Sequence, residues 1–306
     1  MSIFNRQKLT APRLAAAGAS LAIAGTLLGV GVATSAPAAT AAPAATAETA
    51  ATAASQAPAA NANAAVKPTI VLVHGAWADN SSWNAVVEEL QARGYTVDVP
   101  PNPLRGVVDD ANYLSDFLST ISGPIVLVGH SYGGFVITQA ATGNAQVKAL
   151  VYDDAFIPAA GDTAEILSGN EPGSCLAVSD PSTVLNFAPF PGAAKGDADT
   201  YVKPSVFTSC FTNGLPAREA AALAAEQQPL AASVLTETLT VAPAWQTIPS
   251  WAVIGTQDHV IPPAEQLVMA HRAGSHVTEI NAPHLSMISD PRAVTQVIIA
   301  AARATS

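Results

Sequence analysis

From residue 68 onward the chain alternates between short unbroken apolar runs and longer segments in which apolar residues recur at helical spacing. The runs at 69–73, 95–99, 125–128, 147–152, 251–254 and 276–280 predict strands, because they are short and rich in β-branched residues. Between most of them, residues 82–92, 108–121, 135–141, 263–272 and 291–303 predict helices. Ser81 or Ser82 can cap the first of these, and Asp290 followed by Pro291 opens the last. Strands that are apolar throughout, rather than at alternate positions, must be covered on both faces. The pattern therefore implies an α/β fold with a mostly parallel sheet of about six strands and helices on both sides. One interval, 156–248, breaks the alternation with Pro- and Gly-rich loops and an alanine-rich helical stretch at 217–238 that Pro229 interrupts. It is expected to form a lid inserted after the fourth strand, over the carboxyl edge of the sheet where open α/β folds bind ligands.

Composition changes this picture mainly at the amino terminus. A basic start (Arg6, Lys8, Arg13), a weakly hydrophobic Ala/Leu/Gly stretch over 14–34 and small-residue sites such as Ala36-Pro37-Ala38 and Ala39-Thr40-Ala41 give residues 1–41 the signature of a secretory signal peptide. The competing reading is an uncleaved membrane anchor, which the Ala and Gly content disfavours. No arginine pair points to the twin-arginine route. Residues 42–66, almost all Ala, Thr and Pro, read as a disordered linker, leaving 67–306 as the domain. The chain is expected to be exported, and any membrane association would run through the uncleaved N-terminal segment. Export would put Cys175 and Cys210 in an oxidising compartment, where a disulfide between them is expected. A net charge of −10 argues against nucleic acid as a partner, since binding it requires a basic stripe. Neither Cys-x-x-Cys nor His-x-x-x-His occurs, so no metal site and no cofactor is expected.

The chemistry centres on Gly129-His130-Ser131-Tyr132-Gly133-Gly134, which follows the apolar run 124–128 and precedes a helix-compatible segment. A serine on a sharp strand-to-helix turn, with small residues two positions to either side, has the context of a nucleophile elbow. A serine hydroxyl needs a base, and the base needs an acid to fix its tautomer. His284, after the last strand, is the candidate base. Asp258, in the loop after the fifth strand, is the candidate acid, with Asp153 and Asp154 as rivals at the end of the fourth. The backbone N–H groups of Tyr132 and Ala76 are the candidate oxyanion donors. His130 is expected to pack away from Ser131, and His74 to brace its loop. Trp77, Phe156 and His259 are candidate pocket residues, with Trp83, Phe187, Phe190, Phe207 and Trp245 available for either pocket or core.

Four segments carry a family resemblance over about 68–303: Val71-Leu72-Val73-His74-Gly75-Ala76-Trp77, the elbow, Tyr152-Asp153-Asp154-Ala155-Phe156-Ile157-Pro158, and Ala282-Pro283-His284-Leu285-Ser286-Met287-Ile288. In their order and spacing the chain resembles the α/β-hydrolase superfamily, and within it EstC-like bacterial esterases and the plant methylesterase and hydroxynitrile lyase branch. The resemblance implies a serine esterase that forms an acyl-enzyme, and with the export expected from the N-terminal segment it points to small to medium esters, lactones or polyesters met outside the cell. It leaves open a hydroxynitrile-lyase-like carbon–carbon lyase, a cofactor-free haloperoxidase, or a non-catalytic binding protein on the same fold. The lyases of that branch typically carry a threonine where Gly75 stands and a lysine where Leu285 stands, which favours hydrolysis here.

Overall fold

The computed structural model describes residues 66–305. The proposed signal peptide and nearly all of the proposed linker lie outside these residues. The described residues form nine strands: β1 (Thr69–Val73), β2 (Val97–Asp98), β3 (Ile125–His130), β4 (Val147–Asp153), β5 (Leu185–Ala188), β6 (Asp199–Val202), β7 (Leu230–Ala231), β8 (Ser250–Gly255) and β9 (His276–Ile280). Six of them form a parallel sheet in the order β2-β1-β3-β4-β8-β9. The four inner strands are buried almost without interruption, while the edge strands β2 and β9 are half-exposed. The unbroken apolar runs mark the inner strands for this reason.

Alternate residues of each inner strand enter separate cores. Ile70, Leu72, Val126 and Val128 pack against helices α1 (Asn84–Ala92) and α9 (Pro291–Ala304). On the other face Val71, Val73, Ile125 and Leu127 meet α2 (Val107–Ser119), α3 (Gly133–Ala140) and α7 (Pro263–Ala273). Each such side chain stabilises the fold by about 1.5–3 kcal/mol relative to exposure. Asp290 caps α9 as expected, accepting from the Ala293 N–H at 3.1 Å. The start of α1 differs from expectation. Asp79, not Ser81 or Ser82, is the cap, accepting from the Ser81 N–H at 2.8 Å, and a short 3-10 turn at Asn80–Trp83 precedes the α-helix.

The insertion after β4 carries its own antiparallel sheet, β5-β6-β7, together with α4 (Ala164–Asn170), α5 (Pro204–Cys210) and α6 (Ala217–Ala225). The alanine-rich stretch is therefore only partly α-helical. After α6 the chain straightens at Pro229, and Leu230–Ala231 pairs with β6. Cys175 and Cys210 are joined in a disulfide, with Cα atoms 6.4 Å apart.

Candidate active site

Ser131 sits between β3 and α3 with φ +51°, in the left-handed region that a non-glycine residue adopts only under constraint. Close packing supplies the constraint. A Cβ on Gly129 would lie 2.6 Å from the Gly133 carbonyl oxygen, and one on Gly133 would lie 2.7 Å from that of Val73. Strand, elbow and helix thus touch backbone to backbone. The Ser131 N–H donates to the Asp153 carbonyl at 3.2 Å, and the Ser131 carbonyl accepts from the Phe156 N–H at 3.2 Å.

His284 reaches the serine from the loop after β9. Its Nε2 is 3.0 Å from Ser131 Oγ, and its Nδ1 is 2.8 Å from Asp258 Oδ2. All three side chains are buried. The remaining capacity of Asp258 is filled by the Val260 and Ile261 N–H groups at 2.7 and 3.0 Å and by Gln266 Nε2 at 2.8 Å. These donors fix the carboxylate so that Oδ2 faces the imidazole. The rival carboxylates do not contact His284. Asp153 accepts from Ser286 Oγ at 2.8 Å, and Asp154 accepts from the N–H groups of Gly255 and Ser286. Burial pushes the Asp153 carboxyl up to about 7, and burial with the neighbouring Asp153 and Asp258 carboxylates holds that of Asp154 well above the usual carboxylate range.

His130 packs beneath the base, its Nε2 2.9 Å from the His284 carbonyl oxygen and its ring 4.7 Å from the His284 ring. Burial, reinforced by His284, holds it well below the usual histidine range, so it is neutral. His74 braces its loop against Asn102, whose side-chain amide donates to the His74 carbonyl at 2.9 Å. Ala76 and Tyr132 flank Ser131 in one cavity, and neither backbone N–H has a partner among the described residues. The Tyr132 hydroxyl donates to Asp110 Oδ2 at 2.8 Å, and the Trp77 indole N–H donates to the Thr200 carbonyl at 3.0 Å.

That cavity encloses about 250 Å³ and is predominantly apolar. Trp77 and Phe156 line it, and so does the half-exposed Phe187. Leu176, Val178, Leu185 and Leu235 of the insertion add to the apolar wall, with Glu165 as its charged residue. His259 does not belong to it. The turn after Asp258 points that side chain to solvent and Val260 into the cavity, while the His259 carbonyl accepts from the Cys175 N–H at 2.8 Å. Of the other aromatics, Trp83 is core beside His130, Phe207 stacks on Phe211, Arg105 lies over Phe190, and Trp245 donates to the Pro158 carbonyl.

Two functional neighbours escape sequence reasoning. Phe211 lies edge-on to His284 at 5.3 Å and to Trp77 at 5.7 Å, although it is remote from both in sequence. Gln266 had a faint signal, being a polar residue on the inward face of α7, where it is buried. Among the described residues, no group of three or more His, Cys, Asp or Glu side chains is gathered to hold a metal ion.

Residues 70–297 match the alpha/beta hydrolase family. The chain belongs to that family. A carbendazim hydrolyzing esterase of Nocardioides sp. is 36% identical over 108 residues, 30% of this chain and 44% of the esterase. A pyrethroid hydrolase of Sphingobium wenxiniae is 37% identical over 108 residues, 31% of this chain and 39% of the hydrolase. The chain thus matches less than half the length of these curated relatives. Among solved structures, an extracellular α/β-hydrolase from a Paenibacillus species aligns with a TM-score of 0.63 at 22% identity, over 76% of this chain and 98% of its own. At that identity the likeness establishes the shared α/β-hydrolase fold.

Proposed function

We propose that this α/β-hydrolase is an exported serine carboxylic-ester hydrolase. The observation that carries the reading is the continuous chain Ser131 Oγ, His284 Nε2, His284 Nδ1 and Asp258 Oδ2, at 3.0 and 2.8 Å, opening onto an apolar cavity. Ser131 Oγ attacks the ester carbonyl carbon while its proton passes to His284 Nε2. The negative charge on the tetrahedral oxygen is received by the free N–H groups of Ala76 and Tyr132. Collapse breaks the bond to the alcohol oxygen, which takes the proton from His284 and leaves an acyl-serine. A water then gives a proton to His284 Nε2 as its oxygen bonds the acyl carbon, the bond from that carbon to Ser131 Oγ breaks, and the proton on His284 returns to Ser131 Oγ with release of the acid. Asp258, 2.8 Å from His284 Nδ1, orients the imidazole and stabilises the imidazolium.

Cavity chemistry supports small to medium uncharged esters, with lactones and ester units of polymers in the same class. An apolar wall gains by burying a hydrocarbon or aryl arm, and Glu165 at its rim repels an anionic one. The names of the two bacterial relatives, an esterase and a hydrolase of pyrethroids, agree with this class. Leu285, where the related lyases carry lysine, is buried in the apolar core, which leaves no cation beside His284 for a cyanide group. Export rests on the N-terminal sequence pattern.

The test is turnover of p-nitrophenyl butyrate by the wild type and by Ser131→Ala. The variant should lose about 10³-fold or more in kcat. Activity within about tenfold of wild type would remove Ser131 from the mechanism.

A further inference from the structure

The end of β4 and the turn that follows it, residues 153–156, bond to Ser131 and to the segments that carry Asp258 and His284. They meet the elbow through two backbone hydrogen bonds, from the Ser131 N–H to the Asp153 carbonyl and from the Phe156 N–H to the Ser131 carbonyl, each 3.2 Å. The Asp154 carboxyl reaches the backbone of the segments that carry the other two members. Its Oδ1 accepts from the Gly255 N–H at 2.6 Å, three residues before Asp258, and its Oδ2 accepts from the Ser286 N–H at 3.2 Å, two residues after His284. Asp153 adds a bond from Ser286 Oγ at 2.8 Å. Both aspartates are completely buried.

The backbone of Asp154 has φ +44°, where glycine is the unstrained choice. A carboxyl side chain held at such a position, buried among other carboxylates, burdens the fold twice over. Neither burden serves chain reversal, which a glycine would perform without strain. What the side chain adds is a bridge between the loop that carries the acid and the loop that carries the base.

We propose that Asp154 is a positioning residue that sets the distance between Asp258 and His284 by tying their loops to the turn that grips Ser131. The proposal rests on the triad reading above. Asp154 touches no reacting atom. It acts by keeping the His284–Asp258 hydrogen bond short and the imidazole aimed at Ser131 Oγ, and a displacement of about 1 Å at such a site costs on the order of 10²-fold in rate.

Two variants test it. Asp154→Asn keeps the shape but turns an NH₂ toward one of the two N–H donors. Asp154→Gly removes the bridge while suiting the left-handed backbone, so it folds even if the asparagine variant does not. Active sites are counted with a fluorophosphonate probe, and kcat and KM for p-nitrophenyl butyrate are expressed per labelled site. The proton NMR resonance of the His284 Nδ1–H is recorded on unlabelled protein. Both variants should lose about tenfold or more in kcat per site with KM within about twofold, and the resonance should move upfield or broaden away. Variants that melt at lower temperature yet keep kcat per site and an unchanged resonance would overturn the proposal, because Asp154 would then stabilise the fold without aligning the triad. If the wild type neither labels nor turns over, the triad reading fails, and the resonance in the variants still decides whether Asp154 holds the two loops.

Discussion

Gly75→Ala puts the smallest side chain into the contact between the loop after β1, which carries Ala76, and the elbow at Ser131. A Cβ at position 75 would lie 2.6 Å from Ser131 Cβ and 2.9 Å from both His130 Nδ1 and the His130 carbonyl oxygen. Carbon atoms in contact settle at about 3.5–4.0 Å, so the loop and the elbow must separate by about 1 Å. A rotamer change cannot relieve the clash, because Ser131 Cβ and the His130 carbonyl are fixed to the backbone. The separation carries the Ala76 N–H away from the carbonyl oxygen of a substrate on Ser131, and losing one such donor costs about 3–4 kcal/mol of transition-state stabilisation. Allowing for partial relaxation, kcat should fall about 10²-fold with a smaller change in KM. Overpacking should lower stability by about 1–3 kcal/mol. The assay is kcat and KM for p-nitrophenyl butyrate per fluorophosphonate-labelled site, with a thermal melt alongside. A kcat within about threefold of wild type would refute the reasoning, since the loop would then tolerate displacement without losing its donor. The same geometry bears on the lyase alternative: threonine at this position is larger still, and the backbone as it stands has no room for it.

Burial pushes the Asp110 carboxyl up to about 6, against the opposing hydrogen bonds from the Arg105 N–H and the Tyr132 hydroxyl. A raised carboxyl favours the folded state fully only below its unfolded value near 4, and that advantage drains away as pH rises to about 6. Urea titrations should therefore show wild type losing roughly 3 kcal/mol against Asp110→Asn between pH 4 and 6.5, and a pH-independent difference would contradict the assignment. The disulfide closes a loop of 35 residues, so reduction should cost the domain about 3–4 kcal/mol, seen as a lower melting temperature in dithiothreitol; an unchanged melt would mean the bond contributes nothing. Leu235→Trp should fill part of the cavity wall and raise KM for long-chain p-nitrophenyl esters by about tenfold while sparing the acetate. Equal effects on both esters would move the acyl or alcohol arm elsewhere.

The sheet was legible in the sequence because burial on both faces leaves an unbroken apolar run, and a turn of glycines around a serine leaves few alternatives to an elbow. The members of the triad could be ordered from the strand ends they follow. The insertion was not legible at the same level. Its strands are two to four residues long and mix polar with apolar positions, so Leu230–Ala231 looked like a continuation of the alanine-rich helix until it paired with β6. His259 shows a second limit: which of two adjacent residues faces a cavity depends on the turn made after Asp258. Phe211 shows a third, since long-range packing brings it to His284 and no local pattern announces it. Asp153 and Asp154 were visible as strand-end carboxylates competing for the acid's role. Their hydrogen bonds to Gly255 and Ser286, which pair residues more than 100 positions apart, turn both carboxylates away from His284.

The central claim, that Ser131 forms an acyl-enzyme, is tested most directly by intact-mass spectrometry of the protein quenched in acid during turnover of p-nitrophenyl butyrate, followed by peptide mapping. The account predicts one butyryl group per molecule, carried by the peptide containing Ser131 and missing from Ser131→Ala. Rapid turnover without any covalent acyl group on that peptide, or the same adduct on the Ser131→Ala protein, would contradict it.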